Sequence, residues 1–279
     1  MLTNRDLHHH RWIAYAASTV CLWAMVKPAA AQYGLALSPM RTELNLAAGA
    51  QRTGVLAIAN EAKQEARFRA EILDVFIDHE AVPQFERNIP SEAAFSCKDW
   101  LLINPVEATV VAASQLPVRY TFRVPANAQP RTYHCSVAFT SLGAPGQQVA
   151  AVGIVAQLRL AATFYITVGS PVSAGETKEI TVEKTNAPGT SGYRALITVE
   201  NSGLTNLRCA GLVELLDSEG KVVHTYTFPP VVIFPSRRQR LPLVLTKEIP
   251  AGGYTLRTRV NLGTGEIQEA TYRFRIPVD

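Results

Sequence analysis

Catalytic raw material is scarce in this sequence. Of its six histidines, three are His8, His9 and His10 near the start, and the others, His79, His134 and His224, stand on separate segments without a helpful neighbour. His134 and Cys135 are adjacent on an extended segment, so their side chains point to opposite faces and cannot pair as base and nucleophile. There is no G-x-S-x-G, no H-E-x-x-H, no phosphate-binding glycine loop and no G-x-G-x-x-G, and no Cys/His spacing fits zinc. Glu71, Asp74, Asp78 and Glu80 lack the Asp/Asn and glycine pattern of a calcium loop and read as a solvated strand face and its exit. The expectation is a protein that is not an enzyme and holds no cofactor and no metal.

Charge of one sign is missing too. Setting aside residues 1–31 removes Arg5, Arg11, Lys27 and Asp6 from 27 basic and 23 acidic side chains, leaving 24 against 22. A nucleic-acid binder shows a strongly basic face, so none is expected as a partner. Arg237-Arg238-Gln239-Arg240 after Pro235 reads as a solvated basic turn. Beyond the first thirty residues no apolar stretch is long enough to span a bilayer, and no membrane span is expected in the mature chain.

Those first residues read as an address. Arg5, the three histidines and Arg11 make a basic start, Trp12 to Val26 an apolar run of about fifteen residues, short of the roughly 20 needed to cross a bilayer. Ala29-Ala30-Ala31 then suits a signal peptidase. A signal peptide cleaved near Ala31 would export the mature protein to a compartment where disulfides persist. Three cysteines remain, an odd number. Cys97 and Cys135 fall in the first half and Cys209 in the second, so Cys97 with Cys135 is the expected pair, closing a loop of about forty residues and contributing ~3–4 kcal/mol. Three free thiols is the alternative; in the paired reading Cys209 is a buried, inert thiol.

Helical periodicity is nearly absent, and alternation fills its place. Phe68, Ala70 and Ile72 interleave with Arg67, Arg69 and Glu71; Val118, Tyr120, Phe122 and Val124 interleave with Arg119, Thr121 and Arg123. These are strands with one apolar face. The longest alternation runs through Val152, Ile154, Ala156, Leu158, Leu160, Ala162, Phe164 and Ile166. It is one long strand that projects beyond its own sheet or changes partners, or two strands joined by a bend.

After it, Gly169, Ser170, Pro171, Ser173 and Gly175 mark a boundary. The second half repeats the first: Ala195 to Asn201 parallels Val55 to Asn60, each closing on an asparagine suited to a turn. Leu212–Leu216 and Val222–Phe228 flank Asp217-Ser218-Glu219-Gly220 as a hairpin. Tyr133 and Tyr254, each a few residues past a proline, sit where a tyrosine closes a corner in immunoglobulin-type sandwiches. The expected fold is all-β, with two tandem immunoglobulin-like β-sandwiches over 32–168 and 169–279 after a leader over 1–31.

Leu37-Ser38-Pro39-Met40-Arg41-Thr42-Glu43-Leu44, the strand Val55 to Asn60, Asn104-Pro105 and Phe164-Tyr165 ending the long strand resemble the PapD-like periplasmic pilus chaperones. The resemblance implies secreted, pilin-like subunits as partners, with an outer-membrane usher beside them. It also implies that an arginine on the opening strand and a lysine on the long strand hold the subunit's terminal carboxylate. Arg41 takes the arginine's place. The lysine's place falls on Ala161 or Ala162, and Arg159 is the cation near it. The apolar series Val152, Ile154, Ala156, Leu158 and Leu160 would complete the subunit's open sandwich by strand addition. The alternative is a structural or adhesive immunoglobulin-like module of a cell-surface assembly.

Overall fold

The computed structural model describes residues 34–78, 80–142, 157–186, 188, 192–246 and 248–278. The leader, His79 and the stretch holding Val152, Ile154 and Ala156 lie outside the described residues. Among the described residues no helix is long and apolar enough to cross a membrane.

The first ten strands are β1 (Leu35–Ser38), β2 (Arg41–Leu46), β3 (Gln51–Asn60), β4 (Ala66–Ile77), β5 (Pro83–Glu86), β6 (Leu101–Asn104), β7 (Glu107–Val110), β8 (Ser114–Arg123), β9 (Arg131–Leu142) and β10 (Arg159–Val168). They form two sheets, β1-β3-β8-β6 against β2-β10-β9-β4-β5, with β7 also on β4. Between β1 and β2 the chain crosses from one sheet to the other at Pro39. Phe68, Phe122, Phe164 and Tyr120 fill the space between the sheets, each burial worth about 2–3 kcal/mol.

The remaining strands are β11 (Gly175–Lys184), β12 (Tyr193–Asn201), β13 (Leu207–Leu216), β14 (Val222–Ile233), β15 (Arg237–Val244), β16 (Gly252–Asn261) and β17 (Ile267–Ile276). Three, β11-β12-β15, face four, β14-β13-β16-β17, the layering of an immunoglobulin-like sandwich. Ile197, Leu215, Val213 and Cys209 lie in its core. The architecture is two such sandwiches in tandem.

Several local readings acquire their partners here. Cys97 and Cys135 are joined in a disulfide, 38 residues apart; Cys209 is a buried free thiol whose pKa burial pushes up to about 12. The Tyr133 hydroxyl bonds the Gln129 backbone and the Tyr254 hydroxyl donates to the Pro250 carbonyl. Strands β13 and β14 form a hairpin whose turn is held by Asp217, its carboxylate accepting from the Glu219 and Lys221 N–H groups.

Other readings change. Residues 237–240 are no turn: the reversal is spent at Pro235 and Ser236, where φ is 57°, and Arg237 opens β15. Gln239, alternating inward, is buried and donates to the Asp78 carbonyl across the two sandwiches. Asp74 is not solvated. Burial alone would raise its pKa, but bonds from Lys98 Nζ at 2.8 Å, Ser96 Oγ and the Ile89 N–H outweigh burial and hold it below the ordinary carboxylate range.

Candidate functional site

β10 is the strand that positions a site. It pairs antiparallel with β9 along its whole length, Arg159 opposite Thr140 through Val168 opposite Arg131. On its other side β2 runs parallel, but only from Arg41 opposite Thr163 onward. Among the described residues no strand lies on that side of Arg159 to Ala162. The Ser141 N–H donates to the Leu158 carbonyl, so residues 158, 160 and 162 bond toward β9 while 159 and 161 turn their N–H and C=O groups to the open side. The Thr163 N–H, next in that alternation, is taken by the Met40 carbonyl at 2.9 Å. Among the described residues, an unpaired edge therefore ends where β2 begins.

Alternation also sorts the side chains. Ala162, Phe164, Ile166 and Val168 are buried between the sheets, whereas Leu158 and Leu160 toward the open end are half-buried, Leu160 packing against the core. On the opposite face Arg41 shares a row with Thr163 and Ser136, and Glu43 a row with Tyr165 and His134. Arg159 lies on this face too, four residues, ~13 Å, along the strand from the Arg41 row. Arg159 is half-exposed and ion-pairs Glu71 at 3.4 Å, a carboxylate it shares with Arg87 beside a surface cavity of about 370 Å³. The structure thus separates the two arginines.

What it brings to Arg41 was invisible in the sequence. Arg41 Nε lies 3.1 Å from Oε1 of Glu43, and the Arg208 guanidinium, from β13 of the second sandwich, binds the same oxygen. Arg208 also sits 5.8 Å over the Tyr165 ring. Burial raises the Tyr165 pKa, with the Arg208 and Arg41 charges pulling it down and Glu43 adding to the rise. Glu43 and Arg208 are 165 residues apart, and no local pattern signals such a meeting.

The same sheet face meets the second sandwich more deeply at His134, which does have a neighbour. Its Nε2 lies 3.0 Å from Glu92 Oε2, both side chains are 1% exposed, and Arg237 of β15 pairs with the other oxygen of Glu92. Phe234 and Phe95 stack on the imidazole. Burial drives the His134 pKa down to about 3, with Asp74 opposing. Beside it the Thr132 N–H donates to the Leu204 carbonyl at 2.8 Å and its hydroxyl meets Thr205. β9 is consequently buried on both faces. The His134–Glu92 pair is closed to solvent. Among the described residues no three His, Cys, Asp or Glu side chains gather to hold a metal.

No family model and no curated protein matches the chain. Among solved structures it is similar to the class 5 fimbriae chaperone CfaA (10% identity, TM-score 0.44, 88% of this chain and 100% of that one). It is likewise similar to the E. coli chaperone DraB (12%, 0.41, 88% and 98%). A third similar structure is the Pseudomonas aeruginosa CupB2 chaperone (13%, 0.41, 86% and 100%).

Proposed function

We propose that this chain is an exported, non-enzymatic, chaperone-like protein of the periplasm that binds secreted, pilin-type subunits by strand addition along β10 and hands them to an outer-membrane usher. The observation that carries the reading is the edge of β10 at Arg159–Ala162, unpaired among the described residues and ending against an exposed arginine. A guest strand laid parallel to β10 in that space has its C-terminus pointing at Arg41, because β2 occupies the continuation of the same lane. The N–H and C=O groups of Arg159 and Ala161 would supply its main-chain bonds, and Leu158 and Leu160 would meet its alternate side chains. A guanidinium receives a carboxylate through two parallel hydrogen bonds, so a free chain terminus is the matching group.

Titration calorimetry with a twelve-residue peptide carrying valine at alternate positions tests this. The free acid should bind about tenfold more tightly than its C-terminal amide, about 1.4 kcal/mol, and Arg41→Ala should erase the difference. Equal affinity for acid and amide overturns the carboxylate seat. A chain that instead self-associates stably and ignores the peptide belongs to the structural or adhesive reading.

A further inference from the structure

The seat at Arg41 is occupied already. One oxygen of Glu43 is held by guanidiniums from both sandwiches, Arg41 of β2 and Arg208 of β13. The three side chains are accessible, with 59%, 47% and 30% exposure for Arg41, Glu43 and Arg208. Exposed ion pairs of this kind are weak, so they exchange partners at little cost.

We propose that Arg41 and Arg208 together form the carboxylate seat, and that Glu43 fills it as a built-in stand-in which a guest's terminal carboxylate displaces. This rests on the strand-addition reading and adds a residue and a regulatory device to it. The seat then belongs to neither sandwich alone. Two guanidiniums approach one oxygen from different elements, so they can grip an incoming carboxylate from two sides. Glu43 shares its face of β2 with Arg41 two residues away, close enough to swing back when the guest leaves. A second carboxylate cannot share the seat without like-charge repulsion from Glu43, and the displaced Glu43 has open solvent to turn to. The internal carboxylate thus sets a threshold: weakly matched termini fail to replace it.

The same peptide pair separates the two ideas. Glu43→Gln should tighten binding of the free acid two- to fivefold and leave the amide unchanged, since an amide side chain competes poorly for guanidinium. Arg208→Ala should weaken the free acid about fivefold with Arg41 intact, and Arg208→Lys, which keeps the charge without the planar fork, should lie between. Thermal melts of each variant verify folding. If wild type prefers the acid while Glu43→Gln and both Arg208 variants bind it as wild type does, the stand-in is overturned and the strand-edge reading survives. Weaker acid binding by Glu43→Gln overturns it too. If wild type binds acid and amide equally, the carboxylate seat falls and the stand-in with it.

Discussion

Asn60 ends β3 of the first sandwich by donating to the Gln64 and Val110 carbonyls and accepting from the Ala62 N–H. Asn201 ends β12 of the second by donating to the Thr205 and Ile233 carbonyls and accepting from the Gly203 N–H. The same device stands at the same turn, and the two corner tyrosines repeat in the same way. Where the sandwiches part company is instructive. The first has the disulfide, the buried Asp74, Glu92 and His134, and a stretch of β10 unpaired among the described residues; the second has a lone thiol and contributes Arg208 and Arg237 toward the first. A shared frame fixes the fold, and of the unshared residues His134, Glu92, Arg208 and Arg237 gather where the two sandwiches meet.

Breaking the covalent difference should have the largest effect. Replacing Cys97 and Cys135 by serine, or reducing the bond, should cost ~3–4 kcal/mol by chemical denaturation, because a long loop regains its unfolded freedom. Cys209→Ala should cost under ~1.5 kcal/mol, the loss of one small buried group. With its pKa near 12, the Cys209 thiol should resist iodoacetamide at pH 8 until the protein is unfolded. Comparable losses from both substitutions would show that the disulfide is not what distinguishes the first sandwich.

Period-two alternation was enough to place most strands, because each strand's inward face is written in its own residues. The corners, the asparagine turns and the 217–220 hairpin were legible for the same reason: their partners lie within a few residues. His134 with Glu92, Arg208 with Glu43 and Arg237 with Glu92 were not, since alternation says which way a side chain points and nothing about what stands opposite. Arg237 misled most, because a run of charge after a proline looks like a turn, and its inward reach depends on a glutamate more than a hundred residues away.

The interface offers the next test. His134 is neutral when folded, with a pKa near 3 against 6.5 for the free side chain. Between those values the unfolded chain binds the extra proton, so stability falls as pH drops from 6.5 toward 3, by up to about 1.4 kcal/mol per pH unit. Asp74, Glu92 and Arg237 are the charged-type side chains that face or neighbour the ring. His134→Phe should flatten this part of the stability curve. A slope that survives His134→Phe would assign acid sensitivity elsewhere.

The smallest expected difference lies in the corners themselves. The Tyr133 hydroxyl donates to the Gln129 carbonyl and accepts from the Gln129 N–H, both at 3.1 Å. Tyr254 can do only half of this, donating to the Pro250 carbonyl at 2.9 Å, because proline has no N–H to offer in return. Tyr133 is buried whereas the Tyr254 bond is exposed, so an unmatched N–H left behind at Gln129 is harder for water to reach. Tyr133→Phe should therefore cost about 1–1.5 kcal/mol and Tyr254→Phe about 0.5 kcal/mol by denaturant titration. Equal costs would mean that the returning N–H bond contributes nothing, and that the two corners are equivalent despite the residue each one clasps.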